Sequence, residues 1–307
     1  MKKILRTVYS KPTADDDDDD NPWAGRARRI EKKKTEPRSK DSPKLVSSAR
    51  EEIDPPWLKT ISSLATENGR EKEGLFLAEG ARVVAEISQY HRDLVRGIYV
   101  DESFDNEDLR EKIKEARLRI NSLTPAQMKL VSVVVSGQGI FAVCRMASEK
   151  PNFDTARAIT LVDGVQDPGN LGSIFRNAVG FGIDGIILGR GTVDPFNPKV
   201  VRGSSGCFLR TPFETGIDLK ERFSLLRQKG FCIVATSPYA KKSITELSPR
   251  QSKKIALLIG NEGSGTNRQV SELADDWVKI PMENALESLN VAVAHGVLSY
   301  QIAQMRR

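Results

Sequence analysis

The fold of this chain is decided by one stretch near its end, Ile280-Pro281-Met282-Glu283-Asn284-Ala285-Leu286-Glu287-Ser288-Leu289-Asn290-Val291-Ala292-Val293-Ala294. It predicts a strand end, an irregular polar loop and the start of an apolar helix. Ser288 and Asn290 stand where that helix should begin, and by themselves they could be simple helix caps. A stretch meant only for packing would rarely place Ser, Asn and carboxylates between a strand and a buried helix. We therefore expect this stretch, called the third turn below because two similar turns precede it in the chain, to form part of a functional site.

A first turn lies far upstream, after a predicted strand at Ile159–Val162. Asp167-Pro168-Gly169 is a turn sequence, and Asn170 is predicted to cap the next helix. Arg176 is offset from Asn170 by about 240° around a helix, so the two share a site only if Asn170 is the cap. The alternative is that Asn170 only caps and Arg176 makes a surface ion pair.

A second turn, Gly260-Asn261-Glu262-Gly263-Ser264-Gly265, follows a predicted strand at Ile255–Ile259. Its glycines let the backbone approach a ligand closely. The turn lacks the Lys of a P-loop and the GxGxxG spacing of a dinucleotide site, and Glu262 would repel a pyrophosphate. The sequence therefore argues against a dinucleotide-dependent oxidoreductase. It leaves two interpretations, a site for an uncharged or cationic ligand and a plain tight turn.

Composition narrows the class of partner. The chain has 307 residues and a formal net charge of +6, although six of its acids form one block at Asp15–Asp20. This positive charge has two interpretations, an anionic partner such as nucleic acid and an ordinary basic protein surface without such a partner. Cys144, Cys207 and Cys232 are widely spaced in apolar runs, which predicts buried thiols and a reducing compartment. With only two histidines we expect no metal site, and no apolar run reaches the length of a membrane span.

The chain divides into three predicted regions: a disordered charged tail at 1–52, a small α/β domain at 53–147 and an α/β domain at 156–307. In the last region nearly unbroken apolar strands alternate with helices, as in a mostly parallel sheet whose ligands bind at the carboxyl ends of the strands. Its predicted strands are Ile159–Val162, Gly185–Leu188, Phe231–Ala235, Ile255–Ile259 and Trp277–Ile280. Its predicted helices are Leu171–Phe181, Leu219–Lys229, Asn267–Leu273 and Leu289–Gln304. In the small domain we predict helices at Trp57–Thr66 and Glu107–Ala116 and strands at Gly97–Val100 and Gly139–Arg145.

Taken together, the three turns resemble the three motifs of the SpoU (TrmH-type) family of the SPOUT superfamily of RNA methyltransferases. The resemblance covers about Ile159 to Gln304 and includes the segment Asp194-Pro195-Phe196-Asn197-Pro198-Lys199-Val200-Val201-Arg202-Gly203-Ser204-Ser205-Gly206. Residues 57–147, and Phe76-Leu77-Ala78-Glu79-Gly80 above all, are similar to the substrate-binding domain that precedes the catalytic domain in rRNA-modifying members. One departure is Asn284, where the family often has Gly.

The resemblance implies an α/β knot, in which a deep trefoil knot holds S-adenosyl-L-methionine, and a homodimer formed through the Leu289–Gln304 helix. The implied reaction transfers a methyl group to a ribose 2′-hydroxyl of RNA. The family commonly assigns activation of the hydroxyl to the arginine of the first motif, here Arg176. Because a guanidinium is a poor base, we expect Arg176 to orient the ribose and stabilise the oxyanion instead. The implied site residues are, for catalysis, Arg176, Asn170, Glu262, Ser288 and Asn290; for the cofactor, Gly260, Ile280, Leu289, Asn261 and Met282; and for RNA, Arg202, Lys199 and Arg82.

The small N-terminal domain favours large-subunit rRNA as the substrate. Two alternatives stay open: the same chemistry on tRNA, and an RNA-binding or ribosome-assembly protein that keeps the fold without turnover. The expected location is intracellular, soluble and reducing, cytoplasmic by default, with the nucleus or an organelle as further options.

Overall fold

The computed structural model describes residues 56–133, 137–247, 253–261, 268–283 and 288–306. The predicted charged tail lies outside the described residues. In the site-forming turns, residues 262–265 and 284–287, with Glu262 and Asn284 among them, also lie outside the described residues.

The N-terminal part of the described chain is a four-stranded sheet with helices around it. Its elements are α1 (Pro56–Ser63), α2 (Glu67–Glu73), β1 (Leu75–Glu79), α3 (Ala81–Tyr90), β2 (Val95–Val100), α4 (Glu107–Glu115), β3 (Ile120–Ser122), α5 (Pro125–Val131) and β4 (Ile140–Arg145). The strand order is β1-β4-β2-β3, antiparallel except for the β2–β3 pair.

Four elements of this part differ from the sequence prediction: α1 has a different end, and α2, β3 and α5 were not predicted. The first helix ends at Ser63 rather than Thr66, because the Thr66 hydroxyl accepts a hydrogen bond from the Gly69 amide at 3.1 Å and caps α2 instead. The sequence prediction also missed α5, whose start is a capping box formed by Thr124 and Gln127.

The C-terminal part is a seven-stranded parallel sheet in the order β7-β6-β5-β10-β8-β11-β9. Its elements are β5 (Ala158–Asp163), α6 (Pro168–Phe181), β6 (Gly185–Gly189), α7 (Pro198–Gly203), β7 (Phe213–Ile217), α8 (Leu219–Gln228), β8 (Cys232–Thr236), β9 (Lys242–Ser243), β10 (Ile255–Gly260), α9 (Arg268–Ser271), β11 (Asp276–Lys279) and α10 (Val291–Met305). The predicted α/β class with a mostly parallel sheet is confirmed. The sequence prediction missed β7, β9 and α7, and the trefoil knot stays a prediction.

The start of α6 corrects one prediction. The helix begins at Pro168, and its cap is Asp167, whose Oδ1 accepts a hydrogen bond from the Asn170 amide at 2.7 Å. Proline favours the first helical position because it has no amide hydrogen to satisfy there. Asn170 is therefore the third residue of the helix and not its cap, which turns its side chain away from the face that carries Arg176.

A single hydrophobic core joins the two parts. Phe208 lies between them in the 3₁₀ turn Cys207–Arg210, with its ring 5.7 Å from Phe76 of β1 and 5.9 Å from Phe175 of α6. Beside this cluster the buried Arg70 side chain of α2 donates hydrogen bonds to Asp194 Oδ2 at 2.8 and 2.5 Å. The N-terminal sheet is thus packed directly on the helices that carry the first motif.

Cysteine burial follows the prediction in part. Cys144 is buried, whereas Cys207 and Cys232 are only half-buried, because they lie at the ends of their elements rather than inside them. In the described ranges, no helix has the length and apolar character needed to cross a lipid bilayer.

Candidate cofactor and RNA site

Amide side chains tie the three predicted turns together at the carboxyl edge of the parallel sheet. Asn290 Nδ2 donates to Asn170 Oδ1 at 3.0 Å, which joins the third turn to the first. Asn261 Nδ2 donates to the carbonyl of Gly164, in the loop after β5, at 3.0 Å and so joins the second turn to the first. The carboxyl ends of parallel strands meet at one edge, which is why turns so distant in sequence come together here.

Asn290 has a second task as the cap of α10. Its Oδ1 accepts hydrogen bonds from the amides of Ala292 and Val293 at 3.0 and 3.3 Å. The helix therefore begins at Val291, two residues later than predicted. Asn177 of α6, which the sequence prediction missed, donates to the Ala292 carbonyl at 2.8 Å. Helices α6 and α10 are thereby held side by side by amide groups at the edge of the site.

A cavity of about 500 Å³ opens between the ends of β8, β10 and β11. This volume is in the range of pockets that hold cofactors. All five residues expected to bind the cofactor line it, and so does one residue expected to be catalytic: Gly260, Asn261, Ile280, Met282, Leu289 and Ser288. The other lining residues were not predicted: Thr236, Ser237, Pro238, Tyr239, Ile259, Arg268, Ser271, Trp277, Val278, Lys279, Val291, Ala294 and Leu298.

The end of β8 is the main part of the cavity that sequence reasoning missed. Thr236 ends β8, Ser237 and Pro238 follow it directly, and the three residues line one side of the cavity. A signal for them existed, because Ser-Pro after an apolar strand marks a turn, and every strand of a parallel sheet ends at the same edge.

Arg176 lies outside the lining of the cavity, on the exposed side of α6. It stands beside the 3₁₀ turn Cys207–Arg210, because its neighbour Phe175 packs on Phe208. Burial raises the pKa of the Cys207 thiol, and the charges of Arg176 and Arg210 offset part of that rise, which places both guanidinium groups near this turn.

The three residues expected to bind RNA are all exposed. Lys199 and Arg202 lie on α7, whose cap Asn197 accepts a hydrogen bond from the Lys199 amide at 2.9 Å. Helix α7 crosses α6 where Gly172 meets Gly203, a close approach that leaves no room for a Cβ atom on Gly172. Arg82 lies at the start of α3 in the N-terminal part.

His295 is fully buried in α10, where its ring contacts two hydroxyl groups. Its Nε2 lies 3.0 Å from Thr160 Oγ1 and 3.1 Å from Ser299 Oγ. Burial lowers its pKa to about 3, so the ring is neutral at physiological pH. Across the described ranges, no group of three or more His, Cys, Asp or Glu side chains could hold a metal ion.

Comparison with known proteins places this geometry in a family. Residues 157–300 match the model of the SpoU rRNA Methylase family, and residues 56–142 match that of the MRM3-like substrate binding domain. A Bacillus subtilis relative, 23S rRNA (guanosine(2553)-2′-O)-methyltransferase RlmP, is 34% identical over 84% of this chain and 99% of its own length.

Solved structures agree with this match. The SpoU methyltransferase AviRb of Streptomyces viridochromogenes, in complex with AdoMet, superposes with a TM-score of 0.71 at 24% identity, over 82% of this chain and 99% of its own. An RNA 2′-O ribose methyltransferase superposes with a TM-score of 0.69 at 27% identity, over 82% of this chain and 96% of its own. The chain belongs to the SpoU rRNA methylase family.

Proposed function

We infer that this protein is an S-adenosylmethionine-dependent methyltransferase that methylates a ribose 2′-hydroxyl of large-subunit rRNA. The single observation that carries the inference is a cavity lined by residues of the second and third turns, to which the Asn170–Asn290 and Asn261–Gly164 hydrogen bonds tie the first turn. It is supported by the likeness to RlmP over almost the whole length of that rRNA methyltransferase.

The cavity has the chemistry that S-adenosylmethionine requires. Apolar side chains such as Ile259, Leu289 and Leu298 form its walls, and hydroxyl groups such as those of Ser271 and Ser288 stand among them. Backbone groups of Gly260 and Ile280 at the strand ends would hold the adenosine and amino-acid ends. When bound, the cofactor supplies a methyl group on a positively charged sulfur. Glu262 of the second turn suits a cationic ligand, and this role stays a proposal.

Arg176 is the residue we propose to act on the ribose. A guanidinium is a poor base and a donor of several hydrogen bonds, so we propose that Arg176 orients the ribose and a neighbouring phosphate and stabilises charge that develops on the attacking oxygen. The hydroxyl proton would leave to phosphate or water. Ser288 and Asn290 would shape the cofactor side of the site through hydrogen bonds, and Asn170 would act through its bond to Asn290 and not beside Arg176. Arg202, Lys199 and Arg82 would bind RNA phosphates.

We further propose a homodimer formed through α10. Val293, Val297 and Tyr300 recur on one side of this helix and are 53%, 38% and 47% exposed. An apolar stripe of this kind on a helix is typical of a protein–protein contact. A single monomeric species in sedimentation velocity at micromolar concentration would contradict the dimer.

Two assignments complete the proposal. The domain division is a tail at 1–52, an RNA-binding domain at 53–147 and a methyltransferase domain at 156–307. The location is a reducing intracellular compartment. Limited proteolysis that cleaves repeatedly between 56 and 145 but spares 1–52 would contradict the first assignment, and a disulfide found in the native protein would contradict the second.

The test of function is to map 2′-O-methylation in cells that lack the protein and are rescued with wild type or Arg176→Ala. We expect one rRNA site to lose its methyl group and only the wild type to restore it. Because Arg176 lies outside the cofactor cavity, purified Arg176→Ala should still bind S-adenosylmethionine with wild-type affinity. Unchanged rRNA methylation in the deletion strain would refute the proposal, and loss of a tRNA methyl group instead would favour the tRNA alternative.

A further inference from the structure

An aromatic ring and a guanidinium group meet at the seam between the two parts of the chain. Tyr90, at the end of α3, is 48% exposed, and the Arg210 guanidinium lies 4.4 Å from the centre of its ring. Glu86, one helical turn before Tyr90, accepts a hydrogen bond from Arg210 Nη1 at 3.2 Å. The pair is therefore preformed, because the Arg210 guanidinium lies over the Tyr90 ring and the Glu86 carboxylate holds the guanidinium in place.

The pair lies close to the residue that we propose acts on the ribose. Arg210 and Phe208 belong to the same 3₁₀ turn, and Phe208 packs on Phe175, the neighbour of Arg176. The same turn is pressed against α3, because a Cβ atom on Gly206 would come within 2.9 Å of the Val83 carbonyl oxygen. An RNA strand whose ribose reaches Arg176 would thus pass beside Tyr90 and Arg210.

The charge balance of the pair distinguishes between two kinds of RNA contact. The Glu86 carboxylate already neutralises much of the Arg210 charge and would repel a phosphate at this position. A nucleobase carries no charge and stacks well on guanidinium planes and aromatic rings. Because RNA methylated at a ribose must expose that nucleotide, the adjoining bases are also unstacked and need a new partner.

We propose that Tyr90 and Arg210 form a stacking site for an unpaired nucleobase that flanks the nucleotide methylated at its ribose. The proposal rests on the proposed function, and it names which part of the RNA the seam recognises. Neither residue lines the cofactor cavity, so the pair acts on the RNA and not on the cofactor.

Two variants test the stacking site in the full-length protein. Tyr90→Leu keeps apolar bulk and removes the ring, while Arg210→Lys keeps the charge next to Glu86 and removes the flat group. We expect each to raise the KM for undermethylated rRNA about 5- to 140-fold, the range for loss of one stacked base. The kcat at saturating RNA and the Kd for S-adenosylmethionine should stay unchanged.

Arg110→Lys is the matched control. Its guanidinium lies 5.1 Å from the Phe104 ring and pairs with Glu107 at 3.7 Å, so it has the same surroundings but belongs to α4. We expect the KM for RNA to stay within about twofold of wild type in this variant. An equal rise of KM in Arg110→Lys and Arg210→Lys would overturn the proposal, because a general effect of replacing any surface guanidinium would then explain both.

A double-variant cycle makes the test specific to a base. Filter binding would compare wild type and Tyr90→Leu on RNA with an abasic nucleotide placed in turn at each position beside the methylated one. At one position we expect wild type to bind the abasic RNA less tightly than the intact RNA. At the same position we expect Tyr90→Leu to bind the abasic RNA and the intact RNA equally well. Additive losses of RNA affinity from Tyr90→Leu and the abasic nucleotide at every position would overturn the proposal. A drop in cofactor affinity together with a lower unfolding temperature in the variants would also overturn it, since the pair would then only hold α3 in place. If wild type transfers no methyl group to any RNA, the proposed function fails, whereas wild-type methylation together with additive losses at every position would overturn the stacking site alone.

Discussion

The buried ion pair between Arg70 and Asp194 gives a sharp prediction about stability. The Arg70 side chain is 2% exposed and that of Asp194 is 12% exposed. Beyond its bonds to Asp194, Arg70 Nη1 donates to the carbonyls of Leu64 and Ala65 at 3.0 and 3.2 Å. The Arg70→Met substitution keeps an unbranched apolar stem and removes every one of these donors.

The expected cost follows from burial. Removing one partner of a buried pair leaves the other charge without compensation, so we expect Arg70→Met to lower the free energy of unfolding by about 3–5 kcal/mol. At about 2–4 °C per kcal/mol for domains of this size, the Tm should fall by about 6–20 °C. Urea denaturation followed by circular dichroism measures the free energy, and scanning calorimetry measures the Tm.

Arg190→Met supplies the matched control. Arg190 also bonds to one carboxylate, that of Asp218 at 3.1 Å, but its side chain is 72% exposed. An exposed pair contributes about 0–1 kcal/mol, so this variant should unfold close to wild type. If the two variants lost equal stability, or if Arg70→Met lost less than about 1 kcal/mol, the reasoning from burial would be refuted.

Two further predictions concern α6 and α10. Gly172→Ala should lose about 1–3 kcal/mol in urea denaturation, because its Cβ would lie 2.8 Å from backbone atoms of Gly203 and Ser204. The control is Gly180→Ala, on the same helix, where the new Cβ has no atom within 4 Å. This variant should gain about 0.5–1 kcal/mol in free energy of unfolding. Equal effects of the two substitutions would contradict the crossing of α6 and α7 as the cause. Burial lowers the pKa of His295 from 6.5 to about 3. Between these two pH values only the unfolded chain takes up a proton on this ring. The contribution of His295 to stability is therefore complete above pH 6.5 and falls as the pH drops below it. Between about pH 7 and pH 5 wild type should lose about 2 kcal/mol more than His295→Gln, and parallel pH profiles of the two proteins would contradict this assignment.

Helices and strands with strong apolar periodicity could be predicted, whereas elements set by side-chain caps could not. The strands at 158–163 and 255–260 were found within one residue, because their buried runs are continuous. The start of α6 was placed three residues late, since either Asp167 or Asn170 could have capped it and only the backbone geometry chose Asp167. Short α7 and β7 carry too few residues for a periodic signal.

The candidate site likewise contains residues that the sequence indicates and residues that only the folded chain brings into it. The turns at Asn170, Gly260 and Ser288 stand out in the sequence because Gly, Asn and Ser between apolar runs have few packing uses. The cavity wall at Thr236 was missed although the Ser-Pro turn after its strand is a local signal, whereas the Asn177 bond to α10 could not be predicted, because it depends on which helices become neighbours.

The sequence by itself determined the class of fold, the order of the three turns and the family to which they belong. These properties follow from local chemistry: apolar runs form strands, and glycine and amide side chains form turns. Only the tertiary structure decided that Asn290 bonds to Asn170 across 120 residues, that Arg70 joins α2 to the loop before α7, and that Tyr90 meets Arg210. Such pairs depend on the strand order and on packing between the two parts of the chain, and no local pattern encodes either.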